Sequence, residues 1–200
     1  MLSIVIQAGG ESSRMGQDKA LMPFLGQTLI VRIVERLSPA ADELIVTTNH
    51  PDDYRFLGLQ LASDLRLGCG ALGGLYTALC AASYPLIAVI ACDMPFASRE
   101  LVEFERDLLL DENADAVIPS TRNGLEPLHA AYRRTTCLPA VENALNNHDW
   151  KLISWFPQVK VRILSAEETS YYDPHGLTFW NLNTPEEFHQ AEAKAGETGV

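Results

Sequence analysis

Six consecutive apolar residues, Leu86–Ala91 (Leu-Ile-Ala-Val-Ile-Ala), leave no polar position for water to occupy, and three of them are β-branched. A strand of that kind must be covered on both faces, the condition of a central strand in a parallel sheet with helices on either side. Residues 3–7 (Ser-Ile-Val-Ile-Gln) read alike, and further runs of strand length follow at 44–48, 114–119, 128–133, 159–164 and 177–182. Segments of helical period lie between them. In residues 27–37, Leu29, Ile30, Ile33, Val34 and Leu37 share one face before Ser38-Pro39 closes it. A glycine cluster at 68–74 opens a helix to about residue 84, Ser98 caps another to about residue 110, and a third spans about 136–146. Pro185-Glu186-Glu187 starts the last, with proline at its first position and acids in its first turn. Strands alternating with helices in this way build βαβ units, hence an α/β fold around a mostly parallel sheet.

With 200 residues the chain has the size of one domain, set at residues 1–193, with 194–200 small and polar enough to fray. No apolar stretch reaches the ~18 residues of a membrane span, and residues 1–7 lack the basic head and length of a secretion signal, so a soluble, cytoplasmic protein is expected. The four cysteines (Cys69, Cys80, Cys92, Cys137) have no C-x-x-C pairing and read as reduced thiols. A formal charge of -11 argues against nucleic acid as a partner, since a phosphate backbone needs a basic face. Against that acidic background, "QAGGESSRMGQDKAL" (residues 7–21) stands out as a loop that holds Arg14 and Lys19.

In open α/β sheets ligands bind beyond the carboxyl ends of the strands, which is where this loop falls. Gly9 and Gly10 allow backbone to approach phosphate oxygens, and Arg14 and Lys19 neutralise charge that a phosphate chain brings. The loop is not a Walker loop: Gly10 and Gly16 are one residue too far apart, and Gln17 follows Gly16. A second glycine loop, "GCGALG" at 68–73, matches G-x-G-x-x-G with Asp93 twenty residues after its last glycine. Alone it reads as a dinucleotide fingerprint, but "ASDLRL" ahead of it carries two charges and no β-branched residue, so no strand is expected there. The loop fits better as the enclosure of a base or ribose. Asp93, just past the apolar strand, reads as a ligand rather than a turn cap. Asn181 and Asn183 read as substrate contacts, with an Asx turn as the plainer explanation of Asn183. His129 reads as a satisfied core residue.

"AGGESSRMGQDKAL" closely resembles the signature of the MobA-like molybdenum cofactor guanylyltransferases. Asp64 before the second glycine loop, "ACDMPF" at 91–96, "EPLHAAYR" at 126–133 and "FWNLNTPEEF" at 179–188 follow in that family's order, so the resemblance spans nearly the whole chain. It implies a three-layer, Rossmann-like nucleotidyltransferase fold. Carried over residue by residue, it implies that Gln7, Ala8 and Gly9 make backbone contacts to the nucleotide. Gly10, Arg14 and Lys19 would clamp phosphate, Asn49 and Asp64 would hold base and ribose, Asp93 would ligate Mg²⁺, and Asn181 with Asn183 would meet the pterin. The chain departs from the family at Gln7, where leucine is usual, and at Ala71, where proline is usual.

The implied reaction is attack by the terminal phosphate of molybdopterin on the α-phosphorus of GTP, expelling pyrophosphate and leaving a guanine dinucleotide cofactor. Two anions react and further negative charge develops, so the protein's task is positioning and supply of positive charge, with Arg14, Lys19 and Asp93 as the catalytic set. Mg²⁺ is the expected cofactor, GTP and molybdopterin the small-molecule partners, and molybdoenzymes or their chaperones the receivers. No nucleic acid or membrane is expected to bind. Three alternatives stand beside this: CMP transfer to the same pterin, a NAD-binding oxidoreductase built on "GCGALG", and an idle module that only carries cofactor.

Overall fold

The computed structural model describes residues 1–9 and 18–198; Gly10 and Arg14 lie outside them. The strands are β1 (Leu2–Gln7), β2 (Pro23–Phe24), β3 (Gln27–Thr28), β4 (Glu43–Thr47), β5 (Gln60–Ala62), β6 (Leu86–Ala91), β7 (Ala116–Thr121), β8 (Gly124–Leu125), β9 (His129–Arg133) and β10 (Val161–Leu164). The α-helices are α1 (Leu29–Leu37), α2 (Gly70–Ala81), α3 (Arg99–Asp111), α4 (Arg134–Asn146), α5 (Ala166–Tyr172) and α6 (Pro185–Thr198). The main sheet has the order β10-β7-β9-β6-β1-β4-β5, with β8 hairpinned onto β7. All of its long pairings are parallel except those of β9, which runs against β6 and β7.

As the apolar run requires, β6 is central, between β1 and β9, and Leu86 to Ile90 are buried. Pleating sends alternate side chains to opposite faces. Ile4, Ile6, Ala88 and Ile90 join a core with residues of α1, α3 and α6, while Val5, Ile87 and Val89 join a second core with residues of α2 and α4. Helices on both faces of a mostly parallel sheet make the three-layer arrangement expected.

Four expectations change. The first helix begins at Leu29 rather than residue 27, because Gln27 and Thr28 pair with Pro23 and Phe24. The strandless stretch ahead of the second glycine loop is shorter than expected: residues 63–67 form no strand, but a short strand, β5, ends at Ala62, at the sheet's edge where a buried apolar run is not needed. Residues 177–182 form no strand; they cross the end of the sheet, where the Trp180 amide donates to the Leu177 carbonyl and the Leu182 amide to the Asp93 carbonyl. Helix α6 continues to Thr198 with Ala195 buried, so residues 194–198 are packed helix rather than frayed tail.

Candidate active site

Strands β1, β4, β5 and β6 end at one edge, and the candidate residues lie just past those ends. The β6 exit is tied to β1 by the Cys92 amide, which donates to the Gln7 carbonyl at 3.0 Å. The Leu182 amide bonds the carbonyl of Asp93 at 2.9 Å, which brings Asn181 and Asn183 beside the β6 exit. From the β1 side, Lys19 heads a short 3₁₀ turn, Lys19–Leu21, and its Nζ donates to Asn183 Oδ1 at 2.9 Å. Lys19, Asp93, Asn181 and Asn183, drawn from three separate stretches of chain, thus form one group.

Asp93 is half-buried, and burial raises its carboxyl above the usual aspartate range, with Glu187 adding to the rise and Lys19 opposing it. Among the described residues its Oδ1 is buried without a hydrogen-bond partner, as is Asn181 Oδ1. An acceptor oxygen shut away from water carries a penalty of about 1–3 kcal/mol unless something binds it. Both orphans are oxygen donors in the same group, the donor type that a hard divalent cation or a substrate N–H requires. Among the described residues no three His, Cys, Asp or Glu side chains form a cage, so a cation here would rest on Asp93 and on oxygens brought by its ligand.

Asn183 does not cap the last helix. That role falls to Thr184 and Glu187: Thr184 Oγ1 accepts the Glu187 amide at 3.2 Å, and Glu187 Oε2 accepts the amides of Thr184 and Asn183. The Asn183 side chain accepts from Lys19 on Oδ1 and donates from Nδ2 to the Asn181 carbonyl at 3.3 Å, so its oxygen closes no Asx turn into the helix.

A second group sits past β4 and β5. Asn49 Nδ2 donates to Asp64 Oδ2 at 2.9 Å, and the Asp64 amide donates back to Asn49 Oδ1 at 3.1 Å. Gly9 faces this pair, since a β-carbon there would lie 3.7 Å from Asp64 Oδ2. Gln7 and Ala8 are partly committed to the sheet: the Gln7 carbonyl takes the Cys92 amide, and the Ala8 amide donates to the Thr47 carbonyl at 2.8 Å. The backbone contacts expected of these two residues would have to come from the Gln7 carbonyl's second lone pair and the carbonyl of Ala8. Among the described residues Gln7 Nε2 is buried without a partner, against Gly74.

The glycines at 68–73 serve the loop itself. Gly68 and Gly70 have φ of 75° and 57°, in the left-handed region. At Gly73 a β-carbon would lie 2.7 Å from the Arg66 carbonyl oxygen. The loop folds back on its own backbone, and Ser63 to Leu67 intervene between β5 and Gly68, whereas a dinucleotide fingerprint turns directly from strand into helix. That removes the structural basis of the oxidoreductase alternative.

His129 is buried and accepts the Ser98 amide on Nε2 at 3.2 Å, so its ring proton is on Nδ1, facing Glu105 Oε1 at 3.4 Å. It is the satisfied core residue expected. Two residues beside the site were given no role by the sequence: Asp18, which lies within the first motif and whose side chain caps the turn of Lys19, and Tyr54, which lies in no motif and whose hydroxyl donates to it.

A doubly covered, mostly parallel sheet with a lysine, a carboxylate and two asparagines gathered past its carboxyl edge has its polar cluster where Rossmann-like folds bind nucleotides, the arrangement of a nucleotide-handling enzyme. Residues 4–160 match the MobA-like NTP transferase domain, and the chain belongs to that family. It is 35% identical over 191 residues to the probable molybdenum cofactor guanylyltransferase of Pelotomaculum thermopropionicum, covering 96% of this chain and 92% of that one. Identity to the molybdenum cofactor guanylyltransferase of Desulfosudis oleivorans is 33% over 197 residues, with 96% of each covered. The crystal structure of molybdopterin-guanine dinucleotide biosynthesis protein A from Archaeoglobus fulgidus superposes with a TM-score of 0.83 at 25% identity, covering 98% of this chain and 99% of that one.

Proposed function

We propose that this chain transfers GMP from GTP to molybdopterin in its molybdenum-bearing form. An oxygen of the pterin's terminal phosphate bonds to the α-phosphorus of GTP, the bond from that phosphorus to the bridging oxygen breaks, and pyrophosphate leaves with the bonding pair. The attacking phosphate is already ionised at neutral pH, so no general base is needed. The observation that carries the reading is the convergence of Lys19, Asp93 and Asn183 from three chain segments at the sheet's carboxyl edge. The guanylyl rather than cytidylyl assignment is supported by relatives of that name at 33–35% identity over nearly full length.

Gln7, Ala8, Gly9, Gly10, Asn49 and Asp64 form the nucleotide side of the site in this proposal. Asn49 and Asp64, already paired, present a preorganised set of polar atoms to base and ribose. Lys19, with Arg14, steadies the departing pyrophosphate by charge, and Asn183 fixes the lysine's Nζ. Asn181 and Asn183 hold the pterin substrate on the opposite flank. The orphaned Asp93 Oδ1 fits Mg²⁺, which when bound supplies Lewis-acid neutralisation of the reacting phosphates. No helix among the described residues is long and apolar enough to cross a membrane, and the proposal places the reaction in the cytoplasm.

Calorimetric titration with GTP, CTP, ATP and NADH, each with and without Mg²⁺, tests the reading. Preferential, Mg²⁺-dependent GTP binding is expected. A preference for CTP would overturn the guanylyl assignment, and binding of NADH alone would overturn the class of reaction.

A further inference from the structure

We infer that Tyr54 and Asp18 act together as positioning residues that brace Lys19 at the site. The inference rests on the role of Lys19 proposed above.

Tyr54 lies in the 3₁₀ segment Pro51–Leu57, downstream of Asn49, and is 0% exposed. A buried tyrosine needs a partner for its hydroxyl. Here the hydroxyl donates to Asp18 Oδ2 at 2.6 Å, a charge-assisted bond spanning 36 positions of sequence. The other oxygen of the same carboxylate, Oδ1, accepts the Ala20 amide at 3.1 Å. Asp18 also takes the Leu21 amide on its own carbonyl, and Lys19 takes the Met22 amide. The carboxylate is held from two directions, and the turn carrying Lys19 is closed beneath it.

Capping alone does not account for this arrangement. One carboxylate oxygen suffices to cap a short turn, and serine or asparagine would serve. The second oxygen is committed to a side chain from the β4 exit, the connection that carries Asn49. Burial and the neighbouring carboxylate push the Tyr54 hydroxyl far above the ordinary tyrosine range, so it remains a donor at any working pH. The bond therefore joins the segment that would hold base and ribose to the segment that would hold phosphate. Lysine has a long, flexible stem, so where its charge sits depends on how firmly its backbone is set. A misplacement of about 1 Å can reduce rate by about a hundredfold.

The test is a double-mutant cycle on the full chain: wild type, Tyr54→Phe, Lys19→Ala and the double variant. Phenylalanine keeps the buried ring and removes only the hydroxyl. The readouts are melting temperature, kcat and KM for GTP-dependent pyrophosphate release with molybdopterin, and affinity for inorganic tripolyphosphate in the presence of Mg²⁺. The brace predicts a loss of about tenfold for Tyr54→Phe, falling mainly on kcat, and less than about twofold for the same change in the Lys19→Ala background. A tenfold loss persisting without Lys19 would make Tyr54 a general structural residue and overturn the inference, as would no loss in Tyr54→Phe. Asp18→Asn, which keeps the Ala20 cap and weakens the tyrosine contact, should track Tyr54→Phe and replaces it in the cycle if that variant fails to fold. If the wild type releases no pyrophosphate from GTP, it is the proposed function that fails. The tripolyphosphate arm, which needs neither base nor acceptor, still decides whether Tyr54 acts through Lys19.

Discussion

Asp93 is the residue on which the proposed metal chemistry rests. Its carboxyl is raised by burial and by Glu187, so on acidification it protonates earlier than an exposed aspartate does. The ionised form is the one that holds a cation, and Mg²⁺-dependent nucleotide binding should therefore be lost on the acid side at a higher pH than an ordinary carboxylate would give. Asp93→Ala should abolish Mg²⁺-dependent turnover and keep the fold, since it removes an orphaned acceptor rather than a core contact. Full activity in that variant would place the metal elsewhere. Glu105 makes a separate prediction about stability. It is 0% exposed, burial pushes its carboxyl up to about 7 against the lowering effect of His129, and its Oε2 has no partner among the described residues. With an unfolded value of 4.5, its contribution is fully present below 4.5 and is lost as pH rises through about 7. Denaturant titrations at about pH 5 and about pH 8 should show wild type losing stability relative to Glu105→Gln, at up to about 1.4 kcal/mol per pH unit within that window. Equal changes in the two proteins would mean that Glu105 is not protonated in the fold. At this scale the motif residues were legible because loop chemistry is local. The bond from Asp18 to Tyr54 was not, because only the folded topology brings those positions together.

At the scale of elements, the loop from β5 into α2 shows why three glycines recur without a dinucleotide site. Gly73→Ala would drive a methyl group against the Arg66 carbonyl, inside any normal contact distance, and neither atom belongs to a flexible side chain. A loss of about 1–3 kcal/mol is expected, with weaker nucleotide binding as the loop carrying Asp64 shifts. A variant as stable as wild type with unchanged GTP affinity would show that this loop yields freely. The buried central strands were legible because an apolar run without a polar face has one comfortable environment. The residue 177–182 segment misleads for an instructive reason: it is mostly apolar and Leu177 and Leu182 are buried, yet they plug the end of the sheet rather than pair along it. Helix α5 escaped notice although its start is written in Ser165 and Glu168, whose side chains form a reciprocal capping box. The edge strand β5 has only three residues and little burial to advertise it.

For the whole molecule, a net charge of -11 is set against substrates that are themselves anions. In the proposed mechanism the fold answers by concentrating cation supply at one edge, with Lys19 held by Asn183 and a buried oxygen of Asp93 to take Mg²⁺. Ordering both substrates there leaves little covalent work for the protein, and the chemistry follows from placement. The α/β class and the mostly parallel sheet were legible from the alternation of runs. The sheet's order, with β9 reversed between β6 and β7, was not, since nothing local specifies which strand a given run will join. The most direct measurement of the central claim follows phosphorus: GTP labelled in its α-phosphate, incubated with the protein, molybdopterin and Mg²⁺. The account predicts that label moves into the pterin product with one pyrophosphate released per transfer, and that equally labelled CTP is a poor donor. Label that stays in GTP, or moves faster from CTP, would contradict it.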